Sequence, residues 1–413
     1  MRRCVRWRGW GSRRRSIGFR SSPGHEYAWL DLRPSFATAR ISARRRGAVA
    51  FLGLLAASAC GTDEGFAPTD AGTLDTLGQP ASVDAGTPET GPEFFTVVVL
   101  PDTQYSYYSS PSFFDAETRW IAANVAAERI AFVLHEGDIV DSPLDPAQWA
   151  AARASMAALD GKVPYVLTVG NHDLALTAQS NAPRTTLLND AFPYTELENA
   201  PGFGGAFEAG HRENAYYLLP GGGRTWLVLA LEFSPRPAVL AWAAQVLDDQ
   251  KQLPAIVVTH AYLYSDGTRY DLQGRVCQFT GDCVTPPATG PAPQCWNPVC
   301  YLGDGSDGGT IWNTLVLPHS NIVFVFSGHV ANPAPNDAAR LSSLRPDGTV
   351  CHQLLADYQA DGTTGGDGYF RLLRISTDGL VQVRTFSPYV DPASAFLTDD
   401  RNQFEVQVAL PNP

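Results

Sequence analysis

Short apolar runs alternate with amphipathic segments along the chain from Phe94 onward. The runs FFTVVVL, IAFVLHE, VPYVLTV, RTWLVLALEF, PAIVVTH and NIVFVFSGH are typical of buried strands, which are apolar throughout when both faces of the sheet are covered. Residues 112–129, 146–159, 237–250 and 310–319 are predicted to form helices between these runs. The pattern therefore predicts alternating strands and helices as far as residue 330.

After residue 338 the pattern predicts strands alone. The segments ARLSSLR, VCHQLLADYQ, YFRLLRIST and LVQVRTF are separated by turns that contain Asp-Gly. No internal repeat is present in the sequence. We predict an α/β fold with two packed mixed β-sheets flanked by helices, an α/β/β/α sandwich, in one domain over residues 94–413.

The amino-terminal segment, residues 1–60, has the pattern of an export signal. Arginines precede an apolar run from Gly47 to Ala59, which is too short to span a bilayer but long enough for a secretory signal. The run ends in Ala-Ser-Ala-Cys, which resembles a bacterial lipoprotein cleavage site and predicts a lipid on Cys60; cleavage by a general signal peptidase is the alternative. Either route predicts a bacterial protein that is periplasmic, extracellular or an outer-membrane lipoprotein.

Residues 61–93 are predicted to be a disordered acidic tether. They are rich in Gly, Pro, Thr and Asp and show no apolar period, so they cannot bury enough surface to offset the entropy of ordering. A lipid anchor followed by such a tether would hold the folded domain at a membrane surface.

The charge of the chain argues against a nucleic-acid partner. The net charge is −12, and the first 46 residues hold 13 arginines against only Glu26 and Asp31, so the predicted domain is more acidic still. Nucleic acids are bound by basic patches, and none is evident. An acidic enzyme can nevertheless act on phosphates if metal ions supply positive charge, and we expect a monomer.

Five of the seven cysteines follow residue 270, and four of these lie close together. Cys277, Cys283, Cys295 and Cys300 fall in a Gly/Pro-rich insertion at about 268–305 and are spaced more widely than zinc-binding pairs. Two disulfides are favoured over a zinc site, with the pairing left open. Cys351 lies in an apolar context and is predicted to be a buried free thiol.

Polar residues follow several of the predicted strands. In α/β sheets, ligands bind beyond the carboxyl ends of the strands, where such residues meet. Carboxylates, an amide and imidazoles are ligands that suit a pair of divalent ions. The residues are Asp102, Gln104, Asp138, Asp141, Asn171, His172, Asp173, His260 and His329.

The order and spacing of these residues resemble the calcineurin-like metallophosphoesterase family. The family motifs are Asp-x-His, Gly-Asp-x-x-Asp, Gly-Asn-His-Asp or Glu, a lone His, and Gly-His-x-His, and they extend here over residues 95–330. The resemblance implies two divalent metal ions (Mn, Mg, Fe, Zn or Ca) and a phosphomonoesterase or phosphodiesterase that uses a metal-bridging hydroxide.

The resemblance also implies a role for each residue. His172 is expected to contact the phosphoryl oxygens and to stabilise or protonate the leaving oxygen, and Asp173 to fix the tautomer of His172 and favour its charged form. The implied metal ligands are Asp102 and Gln104 at the first ion, Asp138 at both ions, and Asn171, His260 and His329 at the second.

Two residues depart from the family motifs, and both concern the first ion. Gln104 replaces a His and can offer a carbonyl oxygen, whereas Ala331 replaces the last His and offers no ligand. Asn332 is an alternative ligand at that place. Such a site is rich in oxygen ligands and favours Mg²⁺, Mn²⁺ or Ca²⁺. Because one family ligand is missing, we expect the first ion to bind more weakly.

The sequence predicts an exported or membrane-tethered hydrolase of phosphate esters. The alternatives are a non-catalytic module on the same fold that binds a phosphate ligand or metal, and a structural surface lipoprotein. The presence of His172 and Asp173 favours the enzyme, because a site without turnover has no use for an oriented proton donor.

Overall fold

The computed structural model describes residues 93–110, 112–176, 184–272, 295–330, 337–362 and 366–410. The segments 1–60 and 61–93, apart from Glu93, lie outside these residues, as do most of the Cys-rich insertion, Ala331 and Asn332. The strands are β1 (Phe94–Leu100), β2 (Ile130–His135), β3 (Tyr165–Leu167), β4 (Phe203–Ala206), β5 (Ala215–Gly221), β6 (Arg224–Leu231), β7 (Ala255–Thr259), β8 (Ile322–Ser327), β9 (Ala338–Leu344), β10 (Val350–Ala356), β11 (Phe370–Ser376), β12 (Leu380–Phe386), β13 (Phe396–Leu397) and β14 (Phe404–Gln407).

Among the described residues, fewer lie in helices than in strands. Short 3₁₀ turns occur at Gln104–Tyr108, Ala157–Leu159 and Pro392–Ser394, and a π-helix covers Trp312–Val316. The α-helices are α1 (Phe113–Asn124), α2 (Pro146–Met156), α3 (Leu188–Ala191), α4 (Tyr194–Glu198), α5 (Pro237–Asp249), α6 (Pro298–Tyr301) and α7 (Gly308–Ile311).

The strands form two mixed sheets. The first has the order β13-β12-β11-β1-β2-β3, with β14 paired to β12, and its strands β1, β2 and β3 are parallel. The second has the order β4-β5-β6-β7-β8-β10-β9, and its strands β6, β7, β8 and β10 are parallel. Each sheet therefore has a parallel core, and loops after parallel neighbours emerge at one edge.

Alternate side chains of the strands fill two different layers. Phe95, Val97 and Val99 of β1 belong to the apolar cluster between the sheets, which also contains side chains from β6, β7 and β8. Val98 and Leu100 belong to a second cluster, which includes the buried faces of α1, α2 and α5. Two sheets packed face to face with helices outside confirm the predicted α/β/β/α class.

Helix caps agree with the local sequence. Ser112 caps α1 by accepting a hydrogen bond from the amide of Asp115, and Asp145 caps α2 with Pro146 at the first position. Asp307 caps α7 through the amide of Thr310 at 2.9 Å, so this carboxylate serves a helix start.

The strand predictions were more accurate than the helix limits. The helix predicted at 112–129 ends at Asn124, and the one predicted at 310–319 is α7 followed by a π-helix. The strands β4, β5, β13 and β14 were missed. Within the described ranges, no helix is both long and apolar enough to span a bilayer.

The cysteines are described in part. Cys351 is a buried free thiol, as predicted, and burial raises its pKa to about 12. Cys295 and Cys300 are disulfide-bonded. Cys277 and Cys283 lie outside the described residues, so the pairing within the insertion stays a prediction.

Candidate metal centre

The loops after β1, β2, β3, β7 and β8 bring the predicted metal ligands together. The Nε2 atom of His260 lies 3.2 Å from Asp138 Oδ2, 3.6 Å from Asp102 Oδ1 and 3.2 Å from Asn171 Oδ1. The Nδ1 atom of His329 lies 2.7 Å from the same oxygen of Asn171. Ligand atoms of Asp102, Asp138 and His260 lie within 4.8 Å of one another, so they can share an ion.

Unusual backbone places two of these side chains. Asp138 has φ 50° and His329 has φ 78°, in the left-handed region that non-glycine residues seldom adopt. Glycines allow close packing beside them: a Cβ on Gly170 would lie 2.1 Å from Asp138 Oδ1, and a Cβ on Gly328 would lie 2.0 Å from Asp102 Oδ2. The glycines of the sequence motifs are thus required by the approach of the carboxylates.

Each imidazole is held by a main-chain carbonyl on its outer side. His260 Nδ1 lies 3.0 Å from the carbonyl oxygen of Glu136, and His329 Nε2 lies 2.7 Å from that of Trp296. A carbonyl can only accept, so each outer nitrogen carries a proton, and each inner nitrogen offers a lone pair when its ring is neutral. Outer contacts of this kind orient metal-binding histidines in proteins.

The inner atoms of the site are therefore nearly all electron donors. Burial and the nearby His260 lower the pKa of His329 to about 3, so its ring is neutral and its Nδ1 lone pair faces the oxygen of Asn171. Two facing acceptors 2.7 Å apart repel unless a cation or a proton lies between them. The donor set fits a divalent ion held by Asn171, His260, His329 and Asp138.

Carboxylates are crowded on the other side of the site. Burial, followed by Asp357, Asp138 and Glu136, raises the pKa of Asp102 well above its usual value. Both side-chain oxygens of Glu136 are buried and have no hydrogen-bond partner among the described residues. Several buried carboxyl groups in one place can all be ionised only with compensation, which a second cation held by Asp102 and Asp138 would supply.

His172 lies at the open side of the site. Its amide donates to Asp138 Oδ1 at 2.8 Å, and its side chain is 37% exposed. Its Nδ1 lies 3.2 Å from Asp141 Oδ1, and Tyr108 donates its hydroxyl to the other oxygen of Asp141 at 2.8 Å. Burial lowers the pKa of His172, but Asp138 and Asp141 outweigh burial and raise it to about 9.

The expected pairing of Asp173 with His172 is wrong. The carboxylate of Asp173 accepts hydrogen bonds from the amides of Ile139 at 2.9 Å, Val140 at 3.0 Å and Gly170 at 2.9 Å. These amides satisfy both of its oxygens, so Asp173 joins the loop after β2 to the loop after β3. The carboxylate that contacts the His172 ring is Asp141.

Gln104 lies beside Asp138. Its Nε2 donates to Asp138 Oδ2 at 3.3 Å and to Gln359 Oε1 at 2.5 Å, whereas its Oε1 is buried without a partner among the described residues. Gln359 and Asp357, which follow β10, were missed by the sequence reasoning. In the structure β10 is parallel to β8, so Asp357, which follows its last residue, Ala356, lies at the same edge as the other strand ends.

Buried histidines outside the site have structural partners. His135 lies 3.0 Å from the hydroxyl of Thr103 and accepts from the amide of Gly137 at 3.1 Å. Burial and His260 lower the pKa of His135 to about 3. This residue supports the turn before Asp138 and does not face the metal ligands.

Comparisons with known proteins agree with this geometry. Residues 95–333 match the model of the family described as calcineurin-like phosphoesterase. The uncharacterized protein YvnB of Bacillus subtilis (strain 168) is 30% identical over 325 residues, which are 77% of this chain and 22% of that protein. This chain therefore spans less than a quarter of that relative.

Two solved phosphatases are similar to this chain at low sequence identity. A dimetal phosphatase from Danio rerio (LOC 393393) is 13% identical with a TM-score of 0.43, and the match covers 76% of this chain and 99% of that chain. The purple acid phosphatase PPD1 from yellow lupin (Lupinus luteus) seeds is 16% identical with a TM-score of 0.43, over 77% of this chain and 54% of that chain. On the family match, which extends over more than half of its residues, this chain belongs to the calcineurin-like phosphoesterase family.

Proposed function

We propose that the protein is a metal-dependent hydrolase of phosphate esters. The observation that carries the proposal is the convergence of the inner nitrogens of His260 and His329 with the oxygens of Asn171, Asp138 and Asp102. Two ions held there would supply Lewis acidity and neutralise the charge of the phosphoryl group. Membership of the family supports the same reaction class.

The roles of the chain's own residues follow from their contacts. Asp138 is the carboxylate shared by the two ligand groups, because its Oδ2 contacts both His260 and Gln104. His172 directs Nδ1 at Asp141, so its other ring nitrogen is free to hold a proton toward the substrate. We propose that His172 binds phosphoryl oxygens and protonates the leaving oxygen, with Asp141 as its orienting group.

Chelation of the full-length protein tests the proposal. Treatment with EDTA followed by dialysis is expected to abolish hydrolysis of p-nitrophenyl phosphate or bis-p-nitrophenyl phosphate, and Mn²⁺ is expected to restore it. Asp138→Asn is expected to lose metal and activity together, whereas His211→Ala, outside the site, serves as the control. Tight binding of metal with no turnover of any ester would favour the non-catalytic binding module instead.

The leaving group separates the roles of His172. His172→Ala is expected to keep its metal content but to slow esters with poor leaving groups by about 10²–10⁴. The loss is expected to be smaller for p-nitrophenyl esters, whose leaving oxygen departs without a proton. An equal loss for both kinds of ester would leave His172 a phosphate-binding residue only.

We also propose export and tethering at a membrane surface. The support is sequence alone: the arginine-rich start, the apolar run from Gly47 to Ala59, Cys60 and the tether that follows. Two disulfides in the Cys-rich insertion are part of the same proposal, because an oxidising compartment permits them. Mass spectrometry of the mature amino terminus decides between lipid on Cys60, an unmodified cleaved terminus and an intact leader.

A further inference from the structure

A chain of buried hydrogen bonds leads from the bridging carboxylate Asp138 to a second carboxylate, Asp357. Gln104 Nε2 donates to Asp138 Oδ2 at 3.3 Å and to Gln359 Oε1 at 2.5 Å. Gln359 in turn donates to Asp357 through its backbone amide at 3.1 Å and its side-chain nitrogen at 2.9 Å. Gln104, Gln359 and Asp357 are all less than one-tenth exposed, so water does not compete freely for these contacts.

The direction of each hydrogen bond in this chain is fixed by Asp357. An ionised carboxylate only accepts, so Gln359 must turn its NH₂ group toward Asp357 and its carbonyl oxygen toward Gln104. That oxygen also only accepts, so Gln104 must turn its NH₂ group toward Gln359. The two orientations of the Gln104 amide have almost the same shape. Asp357 therefore determines which of them is adopted, through its hydrogen bond with Gln359.

This orientation leaves the oxygen of Gln104 unsatisfied. Gln104 Oε1 is buried without a hydrogen-bond donor among the described residues, although the nitrogen of the same amide is 3.3 Å from Asp138 Oδ2. A buried amide oxygen without a partner is unfavourable, and a cation bound by Asp138 and Asp102 is the partner that the site offers. Gln104 can therefore ligate through oxygen and not through an inverted NH₂ group.

We propose that Gln359 and Asp357 are positioning residues of the metal centre, which hold the Gln104 amide so that its oxygen is the ligand for the first ion. The inference rests on the proposed two-ion site. It makes that first site entirely oxygen-based, beside a second site with two imidazoles. An oxygen-only site prefers a hard ion such as Mn²⁺ or Mg²⁺ to Zn²⁺.

Binding of Mn²⁺ to the metal-free, full-length protein tests the proposal. Isothermal titration and elemental analysis are expected to give two ions per wild-type chain. Gln359→Met keeps the length of the side chain but cannot hold the amide, and the weaker site is expected to lose about 10–100-fold in affinity, the usual effect of an outer-contact residue. Electron paramagnetic resonance should then change from a coupled Mn²⁺ pair to a single-ion signal.

The matched control is Gln353→Met. Gln353 is a fully buried glutamine of β10 that contacts Ser343 and Tyr262 and does not contact the metal ligands. Gln353→Met is expected to lower stability and to leave both Mn²⁺ affinities unchanged. Equal loss of Mn²⁺ in both variants would assign the effect to destabilised folding and overturn the proposal.

Two further variants test whether Gln359 acts through Gln104. In a Gln104→Leu background, Gln359→Met is expected to have no additional effect on Mn²⁺ affinity, since the amide to be positioned is gone. The double variant Asp357→Asn with Gln359→Glu transfers the carboxylate from residue 357 to residue 359. The new carboxylate still accepts a hydrogen bond from Gln104. It is expected to restore first-site affinity to within about threefold of wild type, well inside the loss expected for the broken chain.

The outcomes separate this inference from the proposed function. Two Mn²⁺ ions in Gln359→Met with wild-type affinities would overturn the positioning role and leave the two-ion hydrolase intact. Fewer than two ions in the wild-type chain would instead overturn the two-ion site on which the inference rests.

Discussion

Replacing Asp173 by asparagine is expected to weaken folding and metal binding, and not to impair proton donation by His172. The carboxylate lies against three buried main-chain amides, those of Ile139, Val140 and Gly170. Asparagine has almost the same shape, but its NH₂ group would face an N–H donor. The two loops that carry Asp138 and Asn171 would then lose part of the contact between them.

The size of the effect follows from the number of contacts. One oxygen of Asp173 accepts from Gly170, and the other accepts from Ile139 and Val140, so asparagine loses at least one bond to a charged acceptor. Such bonds contribute about 1.5–3 kcal/mol, and a buried unpaired N–H costs about 1–3 kcal/mol more, which gives about 2.5–6 kcal/mol. Burial, together with Asp138, raises the pKa of Asp173 to about 7, so the comparison belongs at pH 8, where the carboxylate is ionised.

Urea unfolding and Mn²⁺ titration at pH 8 measure the two effects. The control is Asp141→Asn, which removes the charge that contacts the ring of His172 without touching the three amides. Asp141→Asn is expected to slow esters with poor leaving groups at nearly unchanged stability. If Asp173→Asn instead kept its stability and metal affinity and showed the leaving-group dependence, the assignment of Asp173 to the loops would be refuted.

Three other changes have defined outcomes. Gly170→Ala would place a Cβ 2.1 Å from Asp138 Oδ1; the carboxylate must move by about 1 Å, and we expect activity to fall about 10²-fold, measured as kcat/KM. In the metal-free protein, NMR is expected to show His172 titrating near its pKa of about 9, with Asp141→Asn lowering the midpoint. Burial raises the pKa of Asp357 to about 6, so its contribution to metal-free stability is fully present below about pH 4 and is lost as pH rises through 6; urea unfolding should show a fall of about 3 kcal/mol that Asp357→Asn removes.

The site residues that follow β1, β2 and β3 could be predicted from the sequence, because it shows both where each strand ends and which polar side chain follows it. Each apolar run stops at a polar residue, and parallel strands bring such residues to one edge, which is why Asp102, Asp138 and Asn171 meet. The strand β10 is likewise followed by a polar residue, Asp357, but the segments next to it in the sequence are strands joined by Asp-Gly turns. A pattern of strands alone predicts antiparallel pairing, so the parallel pairing of β10 with β8 and the importance of Asp357 were not visible.

Adjacency in sequence was a poor guide to the partner of His172. Asp173 follows it directly, yet successive side chains in a tight turn point in different directions, and Asp173 is turned inward to amides of two loops. Asp141 reaches the ring from another loop. Such a contact depends on how two turns pack, and this packing is set by the whole sheet.

The carbonyl of Trp296 that holds His329 comes from the Cys-rich insertion, next to the disulfide-bonded Cys295. Trp296 itself has φ 56°, so this carbonyl is directed by an uncommon backbone conformation. The insertion thus contributes a contact that holds a residue of the candidate metal centre. Exchanging it for the corresponding loop of a relative, as in engineering of new specificity, would leave His329 free to rotate, and a transplanted loop would have to bring its own carbonyl to that position.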